Sequence, residues 1–252
     1  MMPTPPLAYH DPGFLDSDEG RPVRILSEYL APLRAFSAAG VTATVVFFGS
    51  ARVRAGGPLG RYLEEAVELA RLVTKWSRSL PGERLIVCSG GGPGIMEAAN
   101  RGAALAGGRS VGLNIGLPQE QHPNPYITPQ LGLEFHYFFM RKLWFAHLAR
   151  ALVAFPGGFG TFDELFEILT LAQTHKLDRS IPVFLYGSAF WKEVVNFEAL
   201  VRHGAIAAAD LELFEFVDEP RAALELIKAR VELAPQPKPP SWFAKSRAHP
   251  DG

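Results

Sequence analysis

Three short segments rich in glycine and small polar residues have the composition of anion-binding loops. Gly49 and Ser50 follow the apolar run TVVFF, the glycines at 90–92 follow LIVC, and PGGFGT at 156–161 follows ALVAF. Each glycine in an ordered segment costs about 0.5–1 kcal/mol relative to alanine, so such clusters need a reason. Close approach of the backbone to a ligand is one reason. Tight turns between strands and helices are the other, and the glycines alone leave both open.

The order of strand, glycine loop and helix favours an anion as the ligand. Such an arrangement presents free backbone N–H groups and the positive end of a helix dipole, and phosphate is the common biological ligand of such sites. Neither the loop at 89–94 nor the one at 156–161 matches GxxxxGK[ST] or GxGxxG, so an NTPase or a dinucleotide enzyme is not indicated. We therefore predict a phosphate as the ligand of these loops.

Acidic and basic side chains lie close to the third loop in the sequence. Asp163 and Glu164 are expected in the first turn of the following helix, where acids often only stabilise the helix. Glu164 lies about one turn beyond Gly160, within reach of a sugar whose 5′-phosphate occupies the loop. Upstream, Arg141 and Lys142 are expected to open another helix. A guanidinium there could clamp a phosphate or carboxylate, or the pair could simply face solvent.

Short apolar runs alternate with segments of helical period, and this alternation predicts the elements that must position these residues. Strands are predicted at 44–48, 85–88, 110–115, 133–135, 151–155, 182–186 and 213–217, and helices at 59–79, 94–106, 140–149, 161–173, 190–203 and 220–233. Continuous apolar strands are buried on both faces, as in a parallel sheet with helices on either side. The prediction is one α/β domain with a Rossmann-like, doubly wound, mainly parallel sheet. In such sheets ligands bind at the carboxyl ends of the strands.

Composition and charge set further limits. With 252 residues, 48% of them apolar, the chain can form one large domain, which we place at 22–233 between Pro-rich tails at 1–21 and 234–252. The proline density makes both tails poor candidates for helix or sheet. Trp242 and Phe243 are an adjacent aromatic pair that could dock on a surface. A net charge of −1 without a basic stripe speaks against nucleic acid as a partner.

The sequence also indicates where the protein is located, what its cysteine does and whether it binds a metal. The chain has no apolar stretch of the roughly 20 residues that a membrane span needs, and its N-terminus does not resemble a signal peptide. We expect a cytoplasmic protein without a membrane partner. The single cysteine, Cys88, ends an apolar run and is predicted to be a buried structural thiol. The seven histidines lack clustered spacing, so we expect neither a metal nor a cofactor.

The segment from Pro156 to Glu164 fits PGGxGTxxE. Together with the upstream Arg141 and Lys142 and the loop GGGPGIM at 90–96, it resembles the LOG (Lonely Guy) family over about residues 42–197. These proteins are cytokinin-activating nucleoside 5′-monophosphate phosphoribohydrolases, formerly labelled possible lysine decarboxylases. The resemblance implies a Rossmann-like homodimer that splits a nucleoside 5′-monophosphate, such as AMP or N6-modified AMP, into free base and ribose 5-phosphate.

Carried over by position, the resemblance implies that Arg141 and Glu164 are the catalytic pair. It also implies that Gly157, Gly158, Gly160 and Thr161 hold the phosphate. Further candidates for nucleotide binding are Gly49, Ser50, Gly90, Gly91, Gly92, Met96 and Lys142. The chain departs from the family in two respects. Phe138, Phe139 and Met140 precede Arg141 where many short members have a Met-His-x-Arg-Lys run. It is also longer at both ends than the plant-like forms. Both departures bear on the choice of base more than on hydrolysis.

Two other functions stay open at this point. One is a non-catalytic carrier of a nucleotide or of a molybdenum-cofactor-type pterin, which would share the phosphate loops but would not need both Arg141 and Glu164. The other is a decarboxylase, for which Lys142 is the lysine nearest the motifs. For the base pocket, Met96, Phe138 and Phe159 are candidates, although each would also suit the core.

Overall fold

A seven-stranded parallel sheet forms the centre of the chain. The computed structural model describes residues 6–81, 85–116, 122–176 and 181–231. The strands are β1 (Ala43–Phe48), β2 (Leu85–Ser89), β3 (Ser110–Ile115), β4 (Gly132–Phe135), β5 (Ala149–Ala154), β6 (Val183–Tyr186) and β7 (Phe214–Val217). All six strand pairs are parallel. The predicted α/β, doubly wound class is therefore confirmed, and each predicted strand is present within two residues of its expected bounds.

Helices cover both faces of this sheet. The helices are α1 (Pro12–Leu15), α2 (Arg21–Ala39), α3 (Arg61–Ser79), α4 (Ile95–Leu105), α5 (Phe138–Leu148), α6 (Phe159–Gln173), α7 (Ser188–Val194), α8 (Phe197–Arg202) and α9 (Pro220–Arg230), with short 3₁₀ turns at Ala8–His10, Pro129–Leu131 and Ala208–Leu213. In the described part of the chain no helix is long and apolar enough to cross a membrane.

The strand order β4-β3-β2-β1-β5-β6-β7 places a topological switch between β1 and β5. From β1 the chain moves outward through β2, β3 and β4, then returns to the other side of β1 to form β5. The loops that leave β1 and β5 therefore diverge at neighbouring strand ends, where doubly wound sheets leave a crevice for a ligand.

Two apolar cores hold the layers together, one on each face of the sheet. Side chains alternate along β1, so that Val46 and Phe48 face the core under α2, α5 and α6, whereas Val45 and Phe47 face the core under α3, α4 and α9. Burial on both faces explains why the inner strands β1, β2 and β6 are mainly apolar, whereas the edge strands β4 and β7 are partly exposed and each carry a glutamate. Cys88 is buried in the first core, as predicted.

One predicted helix is wrong in its continuity. The stretch predicted as a single helix at 190–203 is two helices, α7 and α8, separated at Val195 and Asn196. Oδ1 of Asn196 accepts a hydrogen bond from the backbone N–H of Ala199 at 2.9 Å. Asparagine favours such caps over helix interiors because its side chain bonds to the backbone locally.

The N-terminal region contains helices that were not predicted. Pro12–Leu15 forms α1 although the segment is Pro-rich, because Pro12 stands in the first turn and Oδ1 of Asp11 accepts from the N–H of Gly13 at 3.0 Å. Helix α2 is also absent from the predicted elements, since Pro22 and Pro32 interrupt its helical pattern. The predicted C-terminal tail at 234–252, with Trp242 and Phe243, lies outside the described residues.

Helix α2 fixes the start of α5, the helix that carries Arg141. The Glu28 carboxylate accepts hydrogen bonds from the backbone N–H of His136 at 2.7 Å and of Tyr137 at 3.2 Å. The backbone carbonyl of Glu28 also accepts from Nε1 of Trp144 at 3.1 Å. A carboxylate at a helix N-terminus is stabilising because it faces the positive end of the helix dipole.

Replacing Glu28 by Gln should therefore destabilise the protein. One of the two backbone donors loses its acceptor, and the negative charge at the start of α5 disappears. We expect the free energy of unfolding in urea to fall by about 1–2 kcal/mol. Glu193→Gln, an exposed position on α7, is the matched control and should change it by less than about 0.5 kcal/mol. Equal stability of the two variants would contradict this role of Glu28.

Candidate active site

The three glycine-rich loops meet at the carboxyl ends of three adjacent strands. Gly49 and Ser50 follow β1, the glycines at 90–92 follow β2, and PGGFGT follows β5, and these strands lie in the order β2-β1-β5. Tertiary structure thus brings together segments that are more than 100 residues apart in the chain. The carboxyl edge of the sheet, where ligands bind in this class of fold, therefore carries all three loops.

The loops are joined to one another by backbone hydrogen bonds. The N–H of Ser50 donates to the carbonyl of Pro156 at 3.1 Å, and the carbonyl of Ser50 accepts from the N–H of Ile95 at 3.2 Å. Gly94 has φ = +69°, and a Cβ there would collide with the Ser50 carbonyl. Two glycines thus serve packing, because a Cβ on Gly49 would also collide with Ile95. The hydroxyl of Ser50 accepts from the N–H of Arg52 at 3.0 Å.

The N-terminus of α6, named here the anion cradle, is open and suits an anionic ligand. Helix α6 begins at Phe159, with Gly158 as its N-cap residue, so its first amides point out of the helix at the end of β5. A Cβ on Gly158 or on Gly160 would meet no atom within 4 Å. Gly157 differs, because a Cβ there would collide with the buried Thr161 side chain. Gly157 therefore serves close packing, and Gly158 and Gly160 leave space for a ligand.

Helix α6 starts two residues earlier than predicted, so the predicted placement of its acidic residues in the first turn is wrong. Asp163 and Glu164 belong to the second turn of α6 and not to the first. Likewise, α5 begins at Phe138, so Arg141 and Lys142 do not open it but lie at the end of its first turn and beyond. An explanation of the two acids as first-turn helix stabilisers therefore does not apply.

Arg141 and Glu164 form a largely buried ion pair between α5 and α6. Nη1 of Arg141 lies 3.1 Å from Oε1 of Glu164, with the two side chains only 9% and 13% exposed. Nε of Arg141 donates to the carbonyl of Leu113 at 2.7 Å, and the guanidinium carbon lies 5.1 Å from the centre of the Phe145 ring. Three elements thus fix the guanidinium beside one carboxylate oxygen.

Burial raises the pKa of Glu164 to about 7, against the opposing effect of the neighbouring Arg141 charge. Asp163 raises this pKa further, and Lys142 lowers it. A carboxyl group with a pKa near neutrality exchanges protons readily at physiological pH, which suits acid–base chemistry. The perturbed pKa and the position beside the anion cradle single out Glu164 among the carboxylates of this region.

Lys142 makes a second pair of contacts between the same helices. Its Nζ lies 2.7 Å from Oδ1 of Asp163 and 3.0 Å from Oε2 of Glu167. Burial lowers the pKa of Lys142, but the hydrogen bonds of both carboxylates outweigh it and hold the pKa above its ordinary value. An ammonium engaged in this way favours a role in positioning α5 against α6 over direct contact with a nucleotide.

The candidate base-pocket residues lie at the site with very different exposure. Met96 stands in the first turn of α4 with its sulfur against Gly90. Phe138 is 53% exposed and Phe159 is 97% exposed, so the alternative that these two phenylalanines belong to the core is wrong. An aromatic ring fully in solvent at the entrance of the cradle is free to contact a ligand or another protein surface.

Several buried polar residues at the second loop were not predicted. Ser89, Asn100 and Asn124 bond to one another and to the loop at 90–92. Oδ1 of Asn114 is buried against Gly91 without a hydrogen-bond partner among the described residues. Asn100 stood on a predicted helix and Asn124 outside every predicted element. The one sequence signal for these two residues is a polar asparagine in unusual surroundings, among alanines for Asn100 and between prolines for Asn124.

A family model and several characterised proteins match this chain. The family model described as "Possible lysine decarboxylase" matches residues 96–227, slightly more than half of the chain. The chain is 28% identical over 196 residues to the cytokinin riboside 5′-monophosphate phosphoribohydrolase LOG3 of Arabidopsis thaliana, covering 75% of this chain and 82% of LOG3. It is 30% identical over 115 residues to the pyrimidine/purine nucleotide 5′-monophosphate nucleosidase of Escherichia coli K12, covering 41% of this chain and 24% of that protein.

Solved structures support the fold. The X-ray structure of TM1055 aligns with a TM-score of 0.54 and 23% identity, covering 74% of this chain and 99% of TM1055. The molybdenum cofactor (Moco) carrier protein of Chlamydomonas reinhardtii aligns with a TM-score of 0.50 and 21% identity, covering 75% and 99%. The family match, the LOG3 similarity and the Arg141–Glu164 pair together establish that the chain belongs to the LOG family, whose model bears the description "Possible lysine decarboxylase".

Proposed function

We propose that this N-glycosidic hydrolase acts on a nucleoside 5′-monophosphate, AMP or N6-modified AMP (cytokinin riboside monophosphate), and releases the free base and ribose 5-phosphate. The observation that carries the proposal is the buried Arg141–Glu164 pair beside the open N-terminus of α6. The names of LOG3 and of the E. coli nucleosidase support a nucleotide substrate.

The 5′-phosphate would bind at the cradle formed by Gly158, Gly160 and Thr161. Backbone amides and the helix dipole stabilise a bound phosphate there. Binding of this remote group supplies energy that places the sugar next to Glu164, a residue of the next helical turn. Such use of binding energy makes the phosphate a requirement for fast turnover and not only for affinity.

Glu164 would act in its ionised form. Cleavage of the N-glycosidic bond develops positive charge at C1′ of the ribose, which a nearby carboxylate stabilises. The carboxylate also accepts a proton from water, whose oxygen bonds to C1′ while the electron pair of the breaking bond passes to the base nitrogen. That nitrogen then takes the proton from Glu164, which releases the neutral base and restores the carboxylate. Arg141 orients the carboxylate and keeps enough of it ionised near neutral pH.

Two other functions fit the site less well. A cofactor carrier has no need of a buried arginine paired with a carboxylate of raised pKa, and the likeness to the carrier structure concerns the fold alone. A decarboxylase that uses pyridoxal phosphate needs a lysine with a lowered pKa. The pKa of Lys142 is raised, because Asp163 and Glu167 hold its ammonium.

The first test is the release of adenine from AMP by the wild type and by Glu164→Gln, followed by chromatography. The amide neither accepts the proton from water nor stabilises the cation, so we expect kcat to fall by about 10²–10⁴-fold. Adenosine, which lacks the phosphate, should be a poor substrate of the wild type. GMP, CMP and N6-modified AMP, assayed in parallel, define the base. Near-normal turnover by Glu164→Gln would refute the mechanism.

The pH dependence of kcat provides a second test. Since Glu164 must be ionised and its pKa is about 7, kcat should rise with pH through that value. Lys142→Gln removes a positive charge that lowers this pKa, so the rising limb should move to higher pH. Lys228→Gln, which removes the partner of Glu225 on α9, should leave the limb in place. A kcat that falls with pH through this range would indicate an acid role for Glu164 instead.

We also propose that the protein is a homodimer. Helices α2 and α5 expose an apolar groove lined by Arg21, Pro22, Ile25, Leu26, Tyr29, Met140 and Leu143. A second copy of the chain could cover this groove with the same surface, as twofold dimers do. Light scattering should therefore give the dimer mass for the wild type and for Leu105→Glu on α4, and the monomer mass for Leu26→Glu combined with Leu30→Glu. A monomeric wild type would overturn the proposal.

A further inference from the structure

We infer that Asn124, together with Asn100 and Ser89, is a positioning residue that holds the loop at 90–92 against the Arg141 guanidinium. The inference rests on the proposed function, in which Arg141 controls the ionisation and orientation of Glu164. The three buried polar residues hold the loop that packs on Arg141, and they take no part in the proposed chemistry themselves.

Asn124 is bonded to the loop from both its backbone and its side chain. Its backbone N–H donates to the carbonyl of Gly91 at 2.8 Å. One Nδ2 hydrogen is shared between the carbonyls of Gly91 at 3.0 Å and Gly92 at 3.2 Å, and Oδ1 accepts from the N–H of Tyr126 at 3.2 Å. The residue is 7% exposed, so water does not compete for these bonds. One asparagine thus fixes two consecutive carbonyls of the loop.

Asn100 and Ser89 connect this contact to β2 and α4. Oδ1 of Asn100 accepts from Nδ2 of Asn124 at 2.9 Å and from the hydroxyl of Ser89 at 2.7 Å. Nδ2 of Asn100 donates to the carbonyl of Val111 at 3.2 Å, and the Ser89 hydroxyl accepts from the N–H of Gly91 at 3.1 Å. Ser89 and Asn100 have no exposed surface. A satisfied buried network of this kind specifies one conformation, whereas a partly satisfied one is costly.

The loop held by this network packs directly on the catalytic arginine. A Cβ on Gly90 would collide with Nη2 of Arg141 and would lie 2.6 Å from Sδ of Met96. The other sides of the guanidinium are already fixed by the Leu113 carbonyl and by Glu164. The loop is therefore a further wall of the arginine site. If it moves, Arg141 gains freedom to leave Glu164.

The consequence can be measured at Glu164. The Arg141 charge lowers the pKa of Glu164, against the effect of burial. A less constrained Arg141 lies further from the carboxylate on average, so the pKa of Glu164 should rise and the rising limb of the kcat–pH profile should move to higher pH. General support of the fold by Asn124 would instead lower stability without moving this pKa.

The experiment compares Asn124→Ala with the wild type and with Asn196→Ala, which removes the helix cap of α8. We expect kcat for AMP to fall by about 10–100-fold in Asn124→Ala, since small misplacements of catalytic groups have costs of this order. Inhibition by ribose 5-phosphate, which reports the cradle on α6, should stay within about twofold. Ser89→Ala, a smaller change, should alter kcat and the pH profile in the same direction and serves if Asn124→Ala does not fold.

The pKa of Glu164, measured by ¹³C NMR titration, distinguishes failure of this inference from failure of the proposed function. A higher pKa in Asn124→Ala and Ser89→Ala, but not in Asn196→Ala, supports the inference even if the wild type releases no base, in which case the proposed function alone fails. An unchanged pKa overturns the inference. So would equal losses of kcat and of ribose 5-phosphate binding, because these would indicate general damage to the site.

Discussion

The ion pair between Arg141 and Glu164 is the interaction on which the rest of the site depends. Removing two charges from water is costly, and their mutual attraction compensates only when further contacts satisfy both groups. Here the Leu113 carbonyl, the Phe145 ring and the packed glycine loop surround the guanidinium. The resulting environment leaves Glu164 with a pKa of about 7.

The sheet topology makes this arrangement possible. Because the strand order reverses at β1 and β5, the loop after β5 and the helix α6 diverge from the loops after β1 and β2. The open N-terminus of α6 and the Arg141–Glu164 pair thereby lie at the edge of the sheet where ligands of doubly wound sheets usually bind. Helix α5, which supplies Arg141, is held at its start by Glu28 of α2. The N-terminal helix thus acts on the site from a distance.

Two neighbouring residues of α5 make separate ion pairs with carboxylates of α6. Arg141 pairs with Glu164, while the next residue, Lys142, pairs with Asp163 and Glu167. Adjacent residues in a helix point about 100° apart, so one pair can be buried and the other can line the outer edge of the contact. The outer pair also tunes the inner one, because Lys142 lowers and Asp163 raises the pKa of Glu164.

The sequence alone determined the sheet and the identity of the pair. The central strands β1, β2 and β6 are mainly apolar runs, and the glycine loops with Arg141 and Glu164 carry the family motif, so both can be recognised from neighbouring residues. Tertiary structure decided the remainder. It formed helix α2 despite the two prolines in its sequence, and it set the partners of Lys142, the exposure of Phe159 and the asparagine network around Gly91. These features depend on contacts between residues far apart in the chain. Asn124 meets Gly91, and Glu28 meets Tyr137, only because the folded sheet places their elements side by side.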